Sequence, residues 1–352
     1  MKRIALGASG IMVPDWCLGT MTWGVQTDEA GAHAQIDLAL DHGLDFLDTA
    51  EMYPVNPVRA ETVGNTERII GTWLSRTGRR DAVIIATKAA GDTQAARGGE
   101  GFSGANIEAL VDASLRRLQT DVIDLYQLHW PMRGSYMFRQ HWRYDPSGQD
   151  RAATIAHMEG VLEGLERARK AGKIRAFGLS NESCWGTTRW IDVAERIGAP
   201  RVASVQNEYS LLCRMYDTDM AEMAVNEDVL LLSFSPLAAG LLSGKYQGGA
   251  VPEGSRLAVA SAGGGSSDLG GRLTGRALAA VDAYLGVARD HGLDPVHMAL
   301  AWQRSRPFPI SAIFGATTLA QLEHILKGAD LDLAPEAIEA LEAVHRAHPM
   351  PY

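Results

Sequence analysis

The sequence predicts an α/β fold, an eight-stranded parallel (β/α)8 barrel, and three observations lead to it. Eight short apolar runs are continuous rather than alternating, as parallel strands covered on both faces require. Amphipathic helical patterns separate these runs along almost the whole chain. Polar residues stand at the carboxyl ends of the runs, and in such a barrel those ends converge on one mouth. A doubly wound open sheet is the structural alternative.

The elements follow in order. Residues before Val13, with a turn at Ser9-Gly10, are expected to form a hairpin that plugs the barrel floor. Strands are expected at Val13–Leu18, Leu44–Asp48, Ala82–Lys88, Val122–His129, Ile174–Ser180, Val202–Gln206, Val229–Ser235 and Ile310–Gly315. Helices between them include Glu29–Asp41, Thr66–Thr77, Ile107–Gln119, Thr154–Ala171 and Leu319–Lys327. Asp28 can cap the first, and Gly43, Gly172 and Gly292 each follow a helical pattern. Pro131–Arg151 reads as a long loop carrying Tyr136, Phe138, Trp142 and Tyr144, and the composition of Ser261–Gly271 predicts flexibility. Pro335–His345 reads as one extra C-terminal helix. The chain of 352 residues is about twice the common domain size, and residues 1–352 read as one barrel domain.

Composition excludes several classes of function. A hydrophobic fraction of 46% with 21% charged residues fits a packed globular protein. A net charge of −9, with no basic run, argues against nucleic-acid and membrane-surface partners. No apolar stretch approaches the roughly 20 residues of a membrane span, and the amino terminus does not read as a signal peptide. Cys17, Cys184 and Cys213 are too scattered for a disulfide framework or a zinc site, and the ten histidines show no HExxH spacing, so no metal site is expected. A soluble cytoplasmic protein with no evident obligate partner is the expectation. The literal match Gly99-x-Gly101-x-x-Gly104 is not a dinucleotide fingerprint, because a loop separates it from the preceding strand. Gly240–Lys245 likewise falls one residue short of a phosphate loop.

The strand ends carry the chemistry. Asp48, Lys88, His129, Ser180-Asn181 and Gln206 each end a different strand. Singly, an Asp there is more often a helix cap and a Lys a solvated tip, but five on one rim form a series. Lys88 and Asp48 can pair in a partly buried mouth, and Tyr53 lies on the loop just beyond Asp48. An ammonium beside a phenol favours the tyrosinate, which would bring Tyr53 nearer neutrality as a proton donor. His129 could hydrogen-bond a substrate oxygen. A carbonyl that accepts a proton here needs its hydride from elsewhere, so a cofactor is implied.

These residues also carry a resemblance. The segments LGTMTWG (Leu18–Gly24), DTAEMY (Asp48–Tyr53), IATK (Ile85–Lys88), DLYQLHW (Asp124–Trp130), GKIRAFGLSN (Gly172–Asn181), QNEYSLL (Gln206–Leu212), FSPLAAGLLSGKY (Phe234–Tyr246) and GATTLAQL (Gly315–Leu322) are collinear. Together they resemble the aldo-keto reductase family, and within it the bacterial Tas-type NADP(H)-dependent group. The resemblance implies NADP(H) extended across the mouth, with Asp48, Tyr53, Lys88 and His129 as the catalytic tetrad. It implies that Gly19, Thr20, Met21 and Asp48 border the cofactor, that Ser180, Asn181 and Gln206 hold its carboxamide, and that Phe234 stacks under the nicotinamide. Ser235, Pro236, Leu237, Ala238 and Gly240 match the pyrophosphate loop, with Lys245 and Arg256 beside the phosphates. Gly315, Thr317 and Gln321 match the adenosine-phosphate loop. Beyond Gln321, many relatives have a Glu-Asn pair that bonds the adenine; here His324 and Ile325 stand instead.

The expected activity is NADPH-dependent reduction of aldehydes and ketones, with a small carbonyl substrate bounded by Trp23, Tyr53, His129 and Trp130. Arg133, Arg139 and Arg143 could meet a carboxylate, although a solvated loop face is the favoured reading. An NADP(H)-binding sensor on the same fold is the alternative, since the family includes potassium-channel β subunits. A lyase using Lys88 as a Schiff-base nucleophile is a third reading, disfavoured by Asp48 holding the lysine protonated.

Overall fold

The computed structural model describes residues 1–264 and 266–352; Gly265, inside the Ser261–Gly271 segment, lies outside the described residues. At the amino end, β1 (Arg3–Ala5) and β2 (Met12–Pro14) form an antiparallel hairpin with Ile4 opposite Val13. The strands β3 (Trp16–Gly19), β4 (Phe46–Asp48), β5 (Ile84–Ala89), β6 (Ile123–Leu128), β7 (Ile174–Ser180), β8 (Val202–Glu208), β9 (Leu230–Phe234) and β10 (Ile310–Phe314) then follow. They close a parallel barrel in sequence order, with β10 paired back onto β3. Closure excludes the open sheet.

The surrounding helices are α1 (Glu29–Asp41), α2 (Asn65–Thr77), α3 (Ile107–Leu118), α4 (Arg151–Lys170), α5 (Cys184–Ile197) and α6 (Asp219–Asn226). They continue as α7 (Arg256–Val259), α8 (Gly275–Asp290), α9 (Pro295–Arg304), α10 (Leu319–Leu326) and the C-terminal α11 (Pro335–Ala347). Asp28 caps α1 by accepting from the Gly31 amide at 2.8 Å. Gly104 of the rejected glycine motif serves packing: a Cβ there would stand 2.6 Å from the carbonyl of Gly160 on α4. No helix among the described residues is long and apolar enough to cross a membrane.

One expected strand divides. Val13 belongs to the hairpin, and the barrel strand begins only at Trp16. Asp15 is the pivot: its amide donates to Lys2 of the hairpin, while its carbonyl accepts from Ala312 of β10. The hairpin plugs the floor as expected. Leu6 and Val13 join Cys17, Phe46, Ala86, Leu125 and Ile313 in the cluster that fills the barrel, the Leu, Val, Phe and Ile side chains each contributing about 1.5–3 kcal/mol on burial. Gly7 makes the close approach possible, since a Cβ there would lie 2.6 Å from the Ala203 carbonyl oxygen. Residues two apart on a strand share a face. The interior positions Phe46, Ala86 and Leu125 are therefore followed on the same face by Asp48, Lys88 and Gln127. The polar mouth is the top layer of the packed interior.

Candidate active site

At that layer, Lys88 is fully buried and its Nζ donates to Asp48 Oδ2 at 2.7 Å and to the Thr49 carbonyl at 2.8 Å. The third direction from the ammonium reaches the Tyr53 hydroxyl at 3.5 Å. Tyr53 comes from the loop after β4, held by its amide donating to Ala50 and its carbonyl accepting from Gly64. His129 directly follows β6 and meets Tyr53 edge-on, with ring centroids 5.8 Å apart. The four residues that the resemblance implies as a tetrad, Asp48, Tyr53, Lys88 and His129, lie together.

The charges are closely matched. The other Asp48 oxygen accepts from Gln206 Nε2 at 2.8 Å and from Gln127 Nε2 at 3.2 Å. Gln127 is absent from the sequence reading, although its position on the same strand face two residues before His129 would have revealed it. Gln206 thus serves Asp48 as well as lining the rim. Asn181 donates to the His129 carbonyl at 2.9 Å, and Ser180 Oγ to the Gln206 carbonyl at 2.9 Å. Thr20 is likewise committed, its hydroxyl donating to the Asp48 carbonyl at 2.8 Å. Behind the rim, Glu51 accepts from the Ala90 amide at 2.9 Å and pairs with Arg97, tying the two loops that follow β4 and β5.

Electrostatics assign protonation states. Burial alone would lower the Lys88 pKa, but Asp48 and then Tyr53 outweigh it and hold Lys88 above its ordinary value. Burial also pushes the Tyr53 phenol up, and the opposing pull of Lys88 does not overcome it. The sequence expectation of a phenol nearer neutrality is reversed here, because the whole hydroxyl is taken out of water. Burial, reinforced by Lys88, holds the His129 imidazole well below its usual value, so it is neutral. The site therefore offers a protonated phenol, a fixed ammonium and a neutral imidazole around one space.

The rim has features that suit a dinucleotide. Asn181 Oδ1 and His129 Nδ1 are buried without a hydrogen-bond partner among the described residues, so a bound amide could satisfy Asn181. Phe234 ends β9 half-buried at the mouth. The chain that follows turns through left-handed backbone at Ser235, Ala238, Ala239 and Gly240. Gly240 has φ +94°, a left-handed conformation that favours glycine, and the Lys245 side chain lies over it. Lys245 is exposed, whereas Arg256 donates to Asn56 Oδ1 at 3.0 Å, linking the segment after β9 to the Tyr53 loop. Burial and then Arg272 lower the Arg256 pKa to about 10. On the opposite flank, Gln321 Oε1 accepts from the Thr317 amide at 2.9 Å and from its hydroxyl at 3.0 Å, and Gly315 directly follows β10. Thr317 also lines a cleft of about 750 Å³ shared with Gln26, Asn65 and Arg68.

Several expectations change. Ile325, which the resemblance places where relatives bond the adenine, is 5% exposed and packs in the core under α10. His324 is occupied with Asp294, 3.2 Å away. Trp23 is fully buried and its indole donates to Gln35 of α1 at 3.1 Å, so it backs the mouth rather than presenting a face to it. Trp130 is half-buried, lies against His129 and Phe138, and donates to Asp92 at 3.2 Å. In the long loop, Trp142 is 61% exposed and Tyr144 packs edge-on against Tyr136. Arg133 and Arg139 are not solvated: they pair with the buried Glu182 (2.9 Å) and Glu208 (2.7 Å). Glu208 also accepts from Arg272 at 2.7 Å and from the Tyr352 hydroxyl at 3.1 Å. No sequence signal joins those four residues, which come from β8, the long loop, the segment before α8 and the tail.

Comparison with known proteins gives the site its context. The profile of the aldo/keto reductase family matches residues 16–346. The chain is 40% identical over 347 residues to Protein tas of Escherichia coli, covering 97% of each. It is 31% identical over 319 residues to the aldo-keto reductase YhdN of Bacillus subtilis, covering 90% of this chain and 84% of that one. It is also 28% identical over 355 residues to a probable voltage-gated potassium channel subunit beta of Arabidopsis thaliana, covering 99% and 98%. A profile that spans nearly the whole chain, with an eight-stranded parallel barrel and this mouth, settles the matter: the chain belongs to the aldo/keto reductase family, a family of oxidoreductases.

Proposed function

We propose that this protein is an NADPH-dependent reductase of aldehydes and ketones in which Tyr53 is the general acid. The observation that carries the reading is the chain of contacts from Asp48 through the buried Lys88 to the Tyr53 hydroxyl, beside neutral His129. When bound, the nicotinamide cofactor supplies the hydride that the carbonyl carbon receives. Tyr53 gives its proton to the carbonyl oxygen, and Lys88 stabilises the tyrosinate left behind. Asp48 keeps Lys88 charged, and the two glutamines keep Asp48 in place. Neutral His129 orients the substrate oxygen by a ring N–H. The same ion pair disfavours Schiff-base chemistry, which needs an unprotonated amine.

Asn181 and Ser180 fit the carboxamide end, with Gln206 beside them, and Gly19, Thr20 and Met21 border the same space. Phe234 fits the nicotinamide face. The turn from Ser235 to Gly240, with Lys245 and Arg256, fits the phosphates, and Thr317 with Gln321 fits the adenosine phosphate. Charge at Lys245 and Arg256 favours NADPH over NADH. The direct test is steady-state oxidation of NADPH and NADH with a panel of aldehydes. Turnover with NADPH well above that with NADH is expected. Cofactor binding without turnover of any carbonyl would favour a sensor instead.

A further inference from the structure

We propose that Asp294, His297 and His324 form a binding site for a divalent first-row transition metal ion, best suited to zinc, that clasps α9 to α10. The three side chains come from the start of α9 and from α10, not from the strands that carry the tetrad, and their ligand atoms all fall within 4.8 Å of one another. Four ligands placed tetrahedrally at bond lengths near 2.0–2.1 Å are about 3.3 Å apart. His324 Nε2 lies 3.2 Å from Asp294 Oδ2, and His297 Nδ1 lies 4.0 Å from Asp294 Oδ1. Small side-chain rotations would bring all three donors onto one ion.

The surroundings already hold two of the ligands. Asp294 is the N-cap of α9: its Oδ1 accepts from the amides of Val296 at 2.8 Å and His297 at 3.1 Å. That fixes the carboxylate and leaves Oδ2 for a second partner. His297 Nε2 donates to the His324 carbonyl at 2.6 Å. The neutral ring then keeps its lone pair on Nδ1, the atom on the Asp294 side. A ring nitrogen that donates to a backbone carbonyl while the other faces outward is the usual support of a metal-binding histidine. The two imidazoles are stacked, with centroids 4.7 Å apart and planes at 26°. Two imidazoles and a carboxylate select a borderline transition ion over calcium or magnesium. The side chains of His324 and Asp294 are 48% and 34% exposed, so water can complete the shell. The spacing hides the site in the sequence, since His324 comes from the helix beyond β10.

The test is calorimetric titration of zinc chloride into the chelator-treated, full-length protein and into three variants: His297→Ala, His324→Ala and Asp294→Asn. Asparagine keeps the α9 cap and removes only the charged ligand. The expected result is one zinc per chain in the wild type, weakened by at least about tenfold in each variant. Zinc should also raise the wild-type Tm, and raise that of His297→Ala clearly less at the same concentration. No zinc binding by the wild type, or the same titration in all four proteins, would overturn the proposal.

Discussion

Two buried ion clusters flank the mouth, and they are built in opposite ways. In the first, Asp48, Lys88, Gln127 and Gln206 all belong to barrel strands, and each charge meets its partner through strand register. In the second, Glu208 sits at the end of β8, but Arg139, Arg272 and Tyr352 reach it from three irregular segments. The first faces Tyr53 and, in the proposed reaction, governs its proton transfer. The second ties the long loop and the tail onto the barrel rim. A strand-built cluster suits the proposed chemistry because barrel register fixes its partners; a loop-built cluster holds down segments that have no ladder of their own.

Loss of one phenolic oxygen from each cluster separates the two roles. Tyr53→Phe should lower kcat by roughly 10²–10⁴-fold with NADPH affinity nearly unchanged, read by steady-state kinetics and cofactor titration. Wild-type-like kcat would remove Tyr53 from the mechanism. Lys88→Met should also abolish most turnover, and it leaves Asp48 without its counter-charge, costing about 3–5 kcal/mol in denaturant unfolding. Loss of activity without loss of stability would show that the strand cluster tolerates an unpaired carboxylate.

Glu208→Gln should cost about 1.5–3 kcal/mol of stability by weakening two charged hydrogen bonds. Limited proteolysis should then cut first within Pro131–Arg151. Burial opposes ionisation of Glu208, but Arg272 and then Arg139 prevail and hold its pKa below the usual value. Its contribution is therefore full above the unfolded pKa of about 4.3 and is lost as pH falls through the lower folded value. The gap between wild type and Glu208→Gln should close in acid; a gap that persists at low pH would break this assignment. The smallest effect is expected for Tyr352→Phe, which removes one 3.1 Å hydrogen bond to the Glu208 carboxylate and should cost about 1.5 kcal/mol in Tm-derived stability with kcat unchanged. A fall in kcat comparable to that of Tyr53→Phe would erase the distinction between the clusters.

The strand-built half was legible because its information is local. Continuous apolar runs with Asp48, Lys88, His129 and Gln206 at their ends identify strands, and parallel closure brings those ends together whatever the loops do. The same logic failed at Val13, where only the hydrogen bonds of Asp15 show that one apolar run serves both hairpin and barrel. It failed again for the Tyr53 phenol, since position reveals a neighbouring ammonium but not how completely water is excluded.

By itself, then, the sequence determined the barrel, its plug, its extra helix and which polar residues crown the strands, because alternation and run length act over a few residues. Only the tertiary structure decided what lies between distant segments. Glu208 meets Tyr352 across 144 positions, Arg256 meets Asn56 across 200, and Ile325 turns into the core. Such pairings depend on where whole loops and helices come to rest, and on the cost of leaving a charge buried without a partner, which no local pattern records.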